Sequence, residues 1–157
     1  MPRRKRKYKR HEVEPDPKYS STVVSKFINC LMWDGKKTIA QKIFYKAMEE
    51  IEKRTDSPAM QVFTKALNNL KPVQEVRSRR IGGATYRIPV PVSPNRRTFL
   101  AIKWLINAAR SKKGKPMYMR LADEIILASK REGAAYKKRE EMEKMAEANK
   151  AFAHYKW

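Results

Sequence analysis

The chain is short of the residues from which most active and metal sites are built. Its 157 residues include one cysteine, Cys30, and two histidines, His11 and His154. A lone cysteine excludes an internal disulfide and a Cys-rich metal site within the monomer, so the fold does not depend on an oxidising compartment. His11 and His154 stand in opposite tails, beside no Asp, Glu or Cys at metal-site spacing. No phosphate-cradling loop ending in Gly-Lys-Ser/Thr is present, and Gly82-Gly83 does not sit in the strand-to-helix turn such a loop needs. Asp123 and Glu124 are helix neighbours that point to different faces. Glu140, Glu141 and Glu143 alternate with Arg139 and Lys144, as on a solvated helix face. No nucleophile or base has a visible partner, so neither an enzyme, a cofactor nor a small-molecule substrate is expected. Long apolar runs are also missing. None approaches a transmembrane helix, and the N-terminus is basic without the apolar segment of a signal peptide, so no membrane role is expected.

Negative charge is the scarcest commodity. There are 16 Asp+Glu against 37 Lys+Arg, a formal net charge of +21. A compact state with that charge repels itself, and a polyanion relieves the repulsion. Apolar content of 41% with three tryptophans still allows a real core, so one domain with tails is expected rather than wholesale disorder.

The segment 71–97, KPVQEVRSRRIGGATYRIPVPVSPNRR, organises the rest. Two runs, Val73–Ile81 and Ala84–Val92, flank Gly82-Gly83, a pair able to hold the positive φ of a two-residue hairpin turn. Tyr86, Ile88, Val90 and Val92 alternate with Thr85, Arg87, Pro89 and Pro91. The two prolines lack donors along the same edge, which suits a two-stranded ribbon with one free edge. Arg77 and Arg79 share a face, Arg80 takes the other, and Glu75 is the only acid. Because an isolated ribbon is marginal in water, this one reads as an arm awaiting a partner.

Around it the apolar spacing predicts six helices. The first runs from Asp16-Pro17 to Trp33 and stops at Asp34-Gly35. The second runs from Lys36 to about Arg54, with Ile39, Ile43, Ala47 and Ile51 recurring every four and Ala40, Phe44 and Met48 alongside. The third follows the cap-and-proline stretch Thr55–Pro58 and buries Ala59, Phe63, Ala66, Leu67 and Leu70. The fourth opens at Ser93-Pro94 or Asn95, runs to about Ser111, and is apolar nearly all round, as a central helix is. The fifth turns Leu121, Ala122, Ile125 and Ala128 inward. The last, Ala134 to about Ala153, carries a thin stripe and reads as semi-detached. The expected architecture is a mainly α, six-helix body with one protruding two-stranded antiparallel β-hairpin between the third and fourth helices. Residues 1–15 are expected to form a basic tail and 16–157 one helical domain, with the hairpin arm at 73–92 and a C-terminal helix and tail at 134–157.

Four basic clusters are candidate phosphate sites: Arg3, Arg4, Lys5 and Arg6 in a tail holding seven Lys/Arg in its first ten residues; Lys36-Lys37 at a helix start; Arg77, Arg79 and Arg80 with Arg96-Arg97 at the ribbon foot; and the stretch Arg110–Lys115, with Lys113 and Lys115, at the end of the fourth helix. Lys36-Lys37 stand at the positive end of a helix, where a nearby polyanion offsets the unfavourable dipole. Tyr86, Tyr155 and Trp157 are candidates to stack on unpaired bases, although packing is the better reading for Tyr86. The helices lack the Arg/Asn/Gln face of a groove-reading helix. Backbone neutralisation and shape, the mode structured RNA accepts, fit better. An architectural β-ribbon DNA-binding protein is the alternative, but such arms carry an apolar wedge where this tip is Gly-Gly.

Three stretches carry a resemblance. Ser21, Val23, Phe27-Ile28, Gly35-Lys36-Lys37, Ile43-Phe44 and Ala47, at their spacing, resemble the signature of the bacterial-type small-subunit ribosomal protein seven family. Residues 75–90, EVRSRRIGGATYRIPV, are similar to that family's β-hairpin, and residues 133–157 to its last helix and tail. The resemblance implies a primary binder of the 3′ major domain of small-subunit ribosomal RNA that starts assembly of the subunit head. It implies that the hairpin, with Arg79, Gly82, Gly83 and Tyr86, and the C-terminal residues Lys138, Tyr155 and Trp157 face the exit-site tRNA and the mRNA path. Ribosomal proteins eleven and nine are the implied neighbours, and the implied location is the small ribosomal subunit, in the cytoplasm or, for an organellar chain, in the matrix or stroma.

Overall fold

The computed structural model describes residues 11–155. Six α-helices, one antiparallel hairpin and a closing 3-10 helix follow in the order α1 (Thr22–Leu31), α2 (Lys37–Thr55), α3 (Ala59–Leu70), β1 (Gln74–Ile81), β2 (Ala84–Pro91), α4 (Pro94–Ser111), α5 (Met117–Ser129), α6 (Ala134–Ala148) and the 3-10 turn Lys150–Tyr155. No helix among the described residues is long and apolar enough to cross a membrane.

The core is knotted by aromatic rings. Phe27 of α1, Phe44 of α2 and Phe63 of α3 meet with centroids 5.3 to 5.4 Å apart, and each is at most 1% exposed. Tilted and edge-on contacts of this kind add to the burial of the rings themselves. α5 lies against α2, α3, α4 and α6, with Leu121, Ala122, Ile125 and Ala128 fully buried. The buried set of α3 is Ala59, Phe63, Ala66, Leu67 and Leu70, the stripe its spacing predicts.

Several sequence expectations need correction. Asp16-Pro17 does not open a helix. The Asp16 carboxylate accepts from the backbone N–H of Lys18 and Tyr19, and Ser20 at φ 49° breaks the run, so α1 begins only at Thr22. Asp16 thereby closes a local turn, the competing use of this side chain near a helix start. In α2 the buried positions are Ala40, Phe44, Ala47, Met48 and Ile51; Ile39 is 52% exposed. α4 is not apolar all round: Arg96, Lys103 and Asn107 are exposed on its outer face, with Phe99 facing outward among them, and it shares the centre of the body with α5. α6 ends at Ala148, five residues before the expected stop, and gives way to the 3-10 turn.

The hairpin keeps the expected register. Ile81 faces Ala84 across Gly82-Gly83, both glycines having positive φ, 56° and 86°, as a type I′ turn requires. The Val92 N–H donates to the Val73 carbonyl. Alternation then puts the donor-less Pro89 and Pro91 on the open edge. The arm is not bare, however. α6 runs alongside both strands and the 3-10 turn lies on β2, so α6 ties the arm to the body rather than standing semi-detached.

Candidate nucleic-acid interface

The α1–α2 connection is a tight turn. Asp34 and Gly35 have φ of 53° and 71°, and the Lys36 N–H donates to the Trp33 carbonyl at 2.9 Å. The turn delivers Lys36 to the cap position and Lys37 to the first residue of α2. Both are exposed, and neither forms an ion pair among the described residues. From the far end of α4, Arg110 donates to the Leu31 carbonyl at 3.0 Å and sets its guanidinium 4.9 Å from the Trp33 ring centroid. That single reach joins two clusters that are remote in sequence: Lys36-Lys37 and the connection leading to Lys113. Burial lowers the pKa of the Arg110 guanidinium from its ordinary value.

The α4–α5 connection spends part of its charge internally. Lys112 lies 2.6 Å from the fully buried carboxylate of Glu124, and Lys115 lies 3.4 Å from Asp123. Lys113 is exposed and unpaired among the described residues.

At the ribbon foot Glu75 is 6% exposed. It takes Arg77 at 2.6 Å on one oxygen and Arg96 at 3.3 Å on the other, so the ribbon's only acid neutralises part of two candidates. Arg97 donates to the Val92 carbonyl, which fixes the strand to α4. Arg79, facing Tyr86 across the ladder, donates to the backbone carbonyl of Tyr155. Tyr86 meets Phe152 at 5.3 Å and Tyr155 at 5.5 Å. Arg80 and Arg87 are exposed without ion pairs among the described residues. Lys138 pairs with Glu141 on the outer face of α6. Arg3, Arg4, Lys5, Arg6 and Trp157 lie outside the described residues.

The face between the two ends carries charge that sequence reasoning missed. Lys26 of α1 shares a cleft of about 270 Å³ with Asn95, Phe99 and Cys30. Lys103 lies close enough to Cys30 to oppose the rise that burial imposes on its thiol pKa. Arg96 and Arg110 are about 20 Å apart along α4 at 1.5 Å per residue, and Lys26 and Lys103 fill the gap. Their signal in the sequence was faint: isolated lysines on amphipathic helices, with nothing to say which faces coincide.

Residues 2–150 match the family described as ribosomal protein S7p/S5e. The chain belongs to that family. It is 51% identical to the small ribosomal subunit protein uS7 of Pseudothermotoga lettingae over 98% of this chain and 99% of that one. The proteins of the same description from Thermotoga maritima and Nitratiruptor sp. are 52% and 54% identical, each over 98% of this chain and 99% of theirs. S7p/S5e proteins are structural components of the small ribosomal subunit and not enzymes, so ribosomal RNA and ribosomal proteins are the partners. For a family member, the exposed Lys36, Lys37, Arg80 and Lys113 on a rigid helical frame need no catalytic explanation.

Proposed function

We propose that the chain is a primary binder of the 3′ major domain of small-subunit ribosomal RNA, starting assembly of the subunit head in the cytoplasmic ribosome. The supporting observation is the join made by Arg110. It holds Lys36, Lys37 and Lys113 at one end of α4, while Arg96 and Arg97 stand at the other and Arg80 and Arg87 lie farther out along the arm. The rigid core lets both ends meet a folded RNA with little ordering cost, and each phosphate contacted releases counterions. Residues 16–157 act as one RNA-binding domain, with Arg3, Arg4, Lys5 and Arg6 in the basic tail adding contacts. Arg77, Arg79 and Lys115 contribute after exchanging their internal partners for phosphates.

On this reading the hairpin tip, Gly82-Gly83, lies beside the exit-site tRNA and the mRNA path. Ribosomal proteins eleven and nine are its neighbours. Lys138, Tyr86, Tyr155 and Trp157 belong to that side, with Tyr86 supporting the arm from within.

The test compares binding to a transcript of the 3′ major domain with binding to duplex DNA of equal length over several salt concentrations. RNA preference should persist at high salt, with a slope of about −0.7 to −0.9 per phosphate contacted. Equal affinity at every salt would reduce the protein to a polycation and end the proposal.

A further inference from the structure

Trp33 is the most exposed large apolar side chain among the described residues, with 64% of its surface open. It borders a cleft of about 180 Å³ whose floor is apolar, made by Leu31, Met32, Ile43 and Met117, with Ile39 on the lip. The rim is basic: Lys36 and Arg110 line it, Lys37 follows at the helix start, and Asp34 is the one acid of the turn. The indole is held from the cleft's own rim. The guanidinium of Arg110, anchored on the Leu31 carbonyl, lies over the ring, while the bulk of the indole surface remains open to solvent. The tight turn fixes the backbone that carries the ring.

An apolar slot with an open aromatic face and a cationic rim matches a planar heterocycle attached to phosphates. It matches an apolar protein side chain less well, since that would leave three cations without a counter-charge. We propose that this cleft receives one unpaired nucleobase of the bound RNA, stacked on the open face of Trp33 with its flanking phosphates on Lys36 and Lys37. The inference rests on the RNA-binding reading above and adds a base-stacking site to it. Arg110 is a positioning residue: it holds the ring rather than the base.

The experiment uses the full chain and a transcript of the 3′ major domain. Trp33→Ala should weaken binding about tenfold, within the range of base–aromatic stacking. The slope of log affinity against log salt should stay the same, because no phosphate contact is lost. Trp33→Phe should restore most of the affinity, and neither variant should change Tm. Lys36→Ala with Lys37→Ala should instead flatten the slope by about 0.9 for each contact removed. Ultraviolet cross-linking of the wild-type complex should yield a nucleotide on Trp33. RNA preference with unchanged Trp33→Ala affinity and no cross-link would overturn the stacking site and leave the functional reading standing. Unchanged RNA affinity combined with loss of a neighbouring ribosomal protein from the assembled particle would assign the cleft to that protein, and also overturns the proposal. Absence of any RNA preference in the wild type would remove the reading beneath it.

Discussion

The ring of Tyr86, in the second strand of the arm, packs 5.3 Å from that of Phe152, near the end of the chain. Tyr155 lies 5.5 Å from the same tyrosine and offers its carbonyl to Arg79 on the first strand. The 3-10 turn Lys150–Tyr155 thus holds both strands. A two-stranded ribbon needs such support to persist in water.

Phe152→Ala should therefore loosen the arm without melting the body. The lost ring contact is worth about 0.5–1.5 kcal/mol beyond the area it buries. Amide exchange should accelerate in Gln74–Pro91 while α3 and α5 keep their protection. Uniform acceleration through α3 and α5 would show that the latch belongs to the core.

Glu124 is the acid on which the α5–α6 junction is built. Its carboxylate is buried, accepts from the Ala135 N–H at 3.0 Å, and pairs with Lys112. Glu124→Ala should cost about 3 kcal/mol, the low end for breaking a buried pair, because Lys112 is partly exposed and can reach water. Glu124→Gln retains an acceptor for Ala135 and should cost less. Thermal or urea melts measure both.

Gly133 depends on the same carboxylate. Its φ is 93°, and a Cβ there would lie 2.8 Å from the Glu124 Oε1 and 3.1 Å from the Leu127 Cβ. Gly133→Ala combines left-handed strain with a clash against a side chain already fixed at both oxygens. A loss of ~2–3 kcal/mol follows, and a melt within 0.5 kcal/mol of wild type, the scale of an ordinary surface change, would refute it.

The Tyr45 hydroxyl donates to Asp16 at 2.8 Å. Burial first, and then this bond to a carboxylate, push the phenol pKa from 10.0 up to about 12. A raised folded-state pKa means stability that is complete below the unfolded value and lost as pH climbs through the folded one. The advantage of wild type over Tyr45→Phe should be about 1–2 kcal/mol near neutrality, shrink as pH climbs between 10 and 12, and reverse above, because each pH unit in that window removes about 1.4 kcal/mol. Paired denaturant melts across that range test it; a constant difference would mean the hydroxyl does not titrate against Asp16.

Much of this architecture is local and so was readable in advance. The Gly82-Gly83 turn and the stripe of α3 follow from backbone sterics and side-chain periodicity within a few residues, whereas the alternation of Tyr86, Ile88, Val90 and Val92 holds only in part, since Pro89 of the opposite set is buried beside Ile88. The surplus of positive charge is likewise a property of composition. What periodicity could not decide was which of two adjacent apolar positions faces in. Ile39 and Phe99 satisfy the helical pattern and still lie outside, because facing is set by where neighbouring helices sit. The same limit hid Glu124: an acid at that position reads as surface until the α4–α5 connection brings Lys112 to it. Only the tertiary structure joined Arg110 to Trp33 and Tyr86 to Phe152, for these contacts depend on long-range packing of rigid elements. The chain alone settles how many cations and helices there are; packing determines which cations stay free for a phosphate and which are already matched by a carboxylate.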